Sequence, residues 1–101
     1  RKKLRNFGLC AVISNAPERK QMFLNLLYRM GGLFIDSNDL TDSVSTVFYD
    51  NTITDIQKEQ IKSHLRKNPD TADAVSVYWI TEAFYCVALP SFEKYKTLIS
   101  Y

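Results

Sequence analysis

Ser14 and Asn15 stand where an apolar run gives way to "NAPE", a helix-opening pattern. A hydroxyl beside unpaired backbone N–H groups at the positive end of a helix is an arrangement that holds phosphate. Farther along, Lys58, Lys62 and Arg66 recur every fourth residue, so a helix would align them in one basic stripe. Such a stripe attracts a phosphorylated side chain, which carries about −1.5 to −2 charges. Both features also have a plainer reading. Ser14 and Asn15 suit helix capping, and the stripe suits a solvated helix face. The residues alone leave both readings open.

Other chemistry is thin. His64 is the single histidine, inside a helical pattern, with no nucleophile spaced to pair with it. Cys10 and Cys86 lie far apart in apolar surroundings, which favours free buried thiols over a disulfide. Cys10 could act as a nucleophile only outside the core. There is no glycine-rich phosphate loop and no metal-ligand spacing. The chain is therefore expected to be no enzyme and to need no cofactor and no metal.

The elements that would position Ser14 and the lysines follow from hydrophobic spacing. Residues 7–14, "FGLCAVIS", are apolar on both faces, as in a buried parallel strand. Asn15 and Glu18 have capping-box spacing, and Pro17 suits a first helical turn. Met22, Phe23, Leu26, Leu27 and Met30 form a helical stripe, which Gly31 and Gly32 terminate. "LFID" (33–36) and "VSTVFY" (44–49) predict strands. Thr52 and Asp55 repeat the capping-box spacing ahead of "DIQKEQIKSHLRK", with Ile56, Ile61 and Leu65 as its apolar positions, and Pro69 ends it. "AVSVY" (74–78) predicts a fourth strand. "WITEAFYCVA" (79–88) predicts a third helix with Ile80, Phe84 and Val87 inward. Trp79 at that junction is expected to wedge between this helix and the one before it.

The order β-α-β-β-α-β-α predicts a three-layer α/β/α domain with a central four-stranded parallel sheet. The 101 residues suffice for one domain, and 46% apolar content suffices for a core. The chain opens on Arg1 and not methionine, which suggests a segment of a longer protein. No apolar run approaches the roughly 20 residues of a membrane span, so no membrane partner is expected. The net charge is +2, but four of the thirteen basic residues are Arg1, Lys2, Lys3 and Arg5, and the other nine face eleven acidic ones. Residues 1–5 therefore read as a basic leader or linker and residues 6–101 as the domain. The body is not a basic nucleic-acid surface; the head is the one candidate for DNA contact.

Taken in order, four features resemble the BRCT domain. They are the first strand "FGLCAVIS", the helix ending "MGG", the fourth strand entering "VYWI", and the tail "ALPSFEKY" with Leu89 and Tyr95. Trp79, Gly31 and Gly32 are then structural residues. The chain departs from the family at Ala83, where a cysteine is frequent, and at Ser45-Thr46, where Thr-His is frequent.

The resemblance implies a non-enzymatic protein-interaction module of a nuclear DNA-repair or checkpoint protein. It also implies where phosphate would bind in a phosphopeptide reader: the Ser14 hydroxyl, the Asn15 N–H, and a second-helix lysine, Lys62 or Lys58. Asn15 stands where such readers often have glycine, and Gln60 where they often have threonine. The alternative is a phosphate-independent scaffold that docks a partner, or a second BRCT repeat, through the tail aromatics Phe92, Tyr95 and Tyr101. A third reading is DNA contact through residues 1–5.

Overall fold

The computed structural model describes residues 3–4, 7–35 and 39–96. Strands β1 (Leu9–Ile13), β2 (Leu33–Ile35), β3 (Val44–Tyr49) and β4 (Asp73–Ser76) form one parallel sheet in the order β2-β1-β3-β4. Helices α1 (Pro17–Arg29) and α2 (Asp55–Lys67) are the two crossovers. Helix α3 (Tyr78–Tyr85) and a 3-10 turn (Glu93–Tyr95) follow β4. The predicted order of elements and the three-layer architecture are both present.

Alternation along the strands divides the core between two faces. Cys10, Val12, Phe48 and Val75 point to one side, beneath Phe23, Leu24 and Leu27 of α1 and Trp79, Ile80 and Ala83 of α3. Ala11, Ile13, Val47, Tyr49 and Ala74 point to the other, beneath Ile61 and Leu65 of α2. Within α1 the buried stripe is rotated from the expected one: Leu24 is buried and Met22 is half exposed. Ile56 of α2 and Val87 are also exposed, against expectation. Helix α3 ends at Tyr85, so Val87 lies past it and faces no core.

Helix α1 ends in a Schellman motif. Gly31 takes φ +80° and its N–H bonds to the Tyr28 carbonyl, while the Gly32 N–H bonds to the Leu27 carbonyl. Gly32 is closely packed: a Cβ there would stand 3.1 Å from Leu4 Cδ1 and 3.2 Å from the Leu27 carbonyl oxygen.

The Leu4 contact sets part of the segment 1–5 against the domain. Leu4 is buried in the α1/α3 core, and its N–H bonds to the Met30 carbonyl at 2.9 Å. Lys3 Nζ donates to the carbonyls of Ala83, Phe84 and Cys86 at 2.8, 2.8 and 2.5 Å, a cationic cap on the negative end of α3. Arg1, Lys2 and Arg5 lie outside the described residues.

Trp79 has a different partner from the one expected. Helix α2 is on the opposite face of the sheet, so no wedge between α2 and α3 forms. The indole instead stacks on Phe48 of β3 (centroids 5.7 Å apart) and on Phe7 (5.2 Å), and meets Phe92 edge-on (5.0 Å). Its Nε1–H donates to the Pro90 carbonyl at 2.9 Å, which satisfies the ring's one polar group. One side chain thereby pins the segment before β1 and the segment after α3 to the middle of the sheet. The Tyr95 hydroxyl donates to Glu82 and holds the tail from the other side. Phe92 and Tyr95 are thus spent on the fold; Tyr101 lies outside the described residues.

Replacing this ring removes packing on three aromatic neighbours at once. Trp79→Ala is expected to lower the unfolding free energy by about 3–5 kcal/mol, read from urea denaturation. A loss below about 1 kcal/mol would show that the ring is not a core anchor.

Candidate functional site

The sheet order places the topological switch point between β1 and β3: the chain leaves β1 toward β2 on one side and β3 toward β4 on the other. At the carboxyl ends of such strands the two following loops diverge and leave a crevice where ligands bind in open parallel sheets. Here the loops are Ser14–Ala16, leading into α1, and Asp50–Thr54, leading into α2. Ser14 and Asn15, the residues suited to hold phosphate, are at this point.

The crevice is already filled. Asp50 follows β3 directly, and its side chain is completely buried. The Ser14 hydroxyl donates to Asp50 Oδ2 at 2.5 Å and accepts the Ala16 N–H at 3.1 Å. The Thr52 hydroxyl donates to Asp50 Oδ1 at 2.5 Å and accepts the Asn15 N–H at 2.8 Å. Two hydroxyls thus relay the two backbone donors of the β1–α1 turn onto one carboxylate. The Thr52 N–H donates to Asp50 Oδ1 as well (2.9 Å), closing an Asx-turn, and Arg19 Nη1 approaches Oδ2 at 3.4 Å.

This environment fixes the charge state of Asp50. Burial acts to raise its pKa. Hydrogen bonds from the Ser14 hydroxyl and from the Thr52 hydroxyl and N–H outweigh that effect. With Arg19 nearby, they hold the carboxyl below the usual carboxylate range. The side chain is ionised at neutral pH and supplies, through the two hydroxyls, a negative charge for the turn's N–H donors.

The Asn15 side chain is also engaged. It does not cap α1, whose N-cap is Ala16 with no side-chain bond. Asn15 instead pairs with Gln57: Nδ2 donates to Gln57 Oε1 at 2.7 Å and Gln57 Nε2 donates back to Asn15 Oδ1 at 3.1 Å. Gln57 Oε1 accepts the Thr54 N–H as well, and Thr54 accepts the Gln57 N–H, so the capping box of α2 is Thr54–Gln57. The expected Thr52–Asp55 box does not form, because Thr52 is bound to Asp50.

The lysines stand apart from this network. Gln57 is the α2 residue that reaches Asn15; neither lysine bonds to Ser14 or Asn15. Lys62 lies 3.6 Å from Glu59, and Lys58 is half-buried with no ion pair to a described residue. Sequence reasoning named Ser14 and Asn15 but not Asp50, Thr52, Arg19 and Gln57, which the structure brings to the same point. The available signal was "DNT" at the close of an apolar strand: an Asp there can accept the backbone N–H two residues on in an Asx-turn, and that residue is a Thr with a hydroxyl to add.

Among the described residues, no group of three or more His, Cys, Asp or Glu could hold a metal, and no helix is long and apolar enough to cross a membrane. Both cysteines are free thiols, and burial pushes the Cys10 thiol up to about 12, so it holds no thiolate at neutral pH.

The Asp50 network makes a pH prediction. Its folded pKa is depressed, so its stabilisation is present above the unfolded value near 3.9 and is lost as pH falls through the lower folded value. Asp50→Asn is expected to cost about 1–3 kcal/mol at pH 7, since hydroxyls turned toward a carboxylate lose an acceptor. The variant's stability should also fall less steeply than the native protein's between about pH 5 and pH 2. Denaturant titrations across that range check both; equal slopes would show that Asp50 has an ordinary pKa.

No protein-family model matches the sequence, and no curated protein matches it significantly. Solved structures do. The C-terminal BRCT domain of human XRCC1 superposes with a TM-score of 0.77 at 15% identity, covering 99% of this chain and 98% of that one. A structure of the second XRCC1 BRCT domain gives 0.75 at 14% identity, over 98% and 94%. The BRCT domain from the human DNA repair protein REV1 gives 0.69 at 12% identity, over 95% and 89%. With its four parallel strands in the order β2-β1-β3-β4 and its three helices, this chain has the BRCT fold.

Proposed function

We propose that the domain is a non-enzymatic protein-interaction module of a nuclear DNA-repair protein and that it docks its partner without reading phosphate. The observation that carries the second half is the buried Asp50 carboxylate. A phosphate brought to the β1–α1 turn would meet a fixed negative charge and two N–H groups already bound to hydroxyls. Displacing that arrangement would leave a buried charge unpaired, which is costly. The fold shared with a domain of a DNA repair protein supports the first half. Ser14, Asn15, Lys58 and Lys62 are, on this reading, structural and solvating residues. A phosphopeptide reader would use those same four.

The contact surface we assign is the end of the α1/α3 layer. Tyr28, Tyr85 and Val87 are exposed there, and the Arg29 guanidinium lies 4.9 Å from the centroid of the Phe84 ring. Exposed aromatics beside an arginine are the composition of protein interfaces. DNA contact through the basic head is less favoured, because the Lys3 charge is committed to the carbonyls that end α3.

Two results test this reading. A degenerate phosphoserine and phosphothreonine peptide library should be retained no better than its unphosphorylated copy. Tyr85→Glu should weaken capture of the partner roughly tenfold or more, as loss of a central aromatic does, while Lys62→Met leaves it unchanged. Selective retention of phosphopeptides that Lys62→Met abolishes would overturn the reading.

A further inference from the structure

An open groove of about 620 Å³ runs between the outer face of α2 and the β2–β3 connection, on the opposite side of the sheet from the α1/α3 surface. Two aliphatic side chains line it: Leu40 on the connection and Ile56, 73% exposed, on the helix. A large aliphatic side chain left in water at the mouth of a groove is available to cover a ligand. The charges lining the groove are mostly negative. Asp39, Asp55 and Glu59 face one cation, Lys67, which lies 3.8 Å from Asp42 outside the groove. Glu59 shares its charge with Lys62 at 3.6 Å, across an exposed pair that water screens.

His64 adds an independent feature. The imidazole is 4% exposed and lines the groove. Its Nε2 lies 2.9 Å from the Val44 carbonyl, which can only accept, so Nε2 carries the proton. In the neutral ring, Nδ1 is then an acceptor. It has no hydrogen-bond partner among the described residues. Among the described residues no fully sealed side-chain nitrogen or oxygen lacks a partner, and His64 is one of the residues that line the groove. A buried histidine at the groove, the Asp55 and Glu59 carboxylates and two aliphatic side chains suit a ligand with N–H donors, positive charge and an apolar neighbour.

We propose that this groove binds a short peptide segment carrying an arginine or lysine next to an aliphatic residue. The cation lies along Asp55, Glu59 and His64 Nδ1, and the aliphatic side chain packs between Leu40 and Ile56. The proposal rests on the domain being an interaction module but not on phosphate being ignored, since Asp50 and the β1–α1 turn take no part. The groove is a second contact surface, separate from the one formed by Tyr28 and Tyr85.

The test is a heteronuclear NMR titration of the native domain with an acetylated, amidated peptide of alternating arginine and leucine. A glutamate–leucine peptide of the same length is the control. Saturable shifts are expected at the amides of Leu40, Ile56, Ser63 and His64 with the arginine peptide alone. Glu59→Gln should weaken binding roughly three- to tenfold, and Ile56→Ser by a similar factor. Asp70→Asn, an equal charge change on an exposed loop, should leave it unchanged. Both groove variants change exposed side chains, and their unperturbed spectra elsewhere would report an intact fold. Binding of the glutamate peptide, insensitivity to both groove variants, or shifts centred on Tyr28 and Tyr85 would each overturn the proposal. Phosphopeptide retention with these groove shifts intact would defeat the phosphate-independent reading alone.

Discussion

The buried carboxylate of Asp50 is the interaction on which the organisation of this domain's functional end depends. It sits where the two loops of the topological switch point diverge, and both loops are tied to it. Ser14 and Thr52 each give it a hydroxyl proton and each take a backbone N–H from the β1–α1 turn. A charge buried this deeply persists only when nearly every lone pair is occupied. That requirement fixes the rotamers of Ser14 and Thr52 and the course of both loops. It also brings Asn15 to the start of α2, where Gln57 pairs with it. On the phosphate-independent reading, the crevice that could receive an anion from solution receives one from the chain itself.

The opposite requirement acts at the other end of the sequence. The apolar sheet face that carries Phe48 and Val75 must be covered, and α1 and α3 leave room beside Trp79. Phe7 from the N-terminal side and Phe92 from the C-terminal side fill it. Lys3 closes the end of α3, and Leu4 enters the core beside Gly32. Lys3, Leu4, Phe7 and Phe92 are thus part of the fold. Among the described residues, exposed aromatics gather at the α1/α3 ends and carboxylates along the α2 groove.

Much of this was legible in the residues. Strands apolar on both faces announced a parallel sheet, and "MGG" announced the Schellman end of α1. The local rules failed where two of them competed for one side chain. Thr52 and Thr54 both precede a helix at plausible capping distances. Only the buried Asp50 decides that Thr52 serves the carboxylate and Thr54 the helix. Asn15 has capping spacing to Glu18 but finds two better bonds at Gln57, which is 42 residues away. The stripe on α1 could be centred on Met22 or on Leu24, adjacent rows of one helix surface. The position of α3, with Tyr78 edge-on to Phe23, selects the second. Phe92 and Tyr95 looked like free docking aromatics because their partners, Trp79 and Glu82, lie in another element.

The central claim is that the anion position at the β1–α1 turn is occupied from within. The most direct measurement follows the amide resonances of Asn15 and Ala16 while a phosphoserine tripeptide is titrated into the native domain. With both N–H groups bound to Thr52 and Ser14, the resonances should stay fixed into the millimolar range. Saturable shifts of those two amides at micromolar peptide would mean that phosphate displaces the Asp50 network, and would contradict occupation of the site by the chain's own carboxylate.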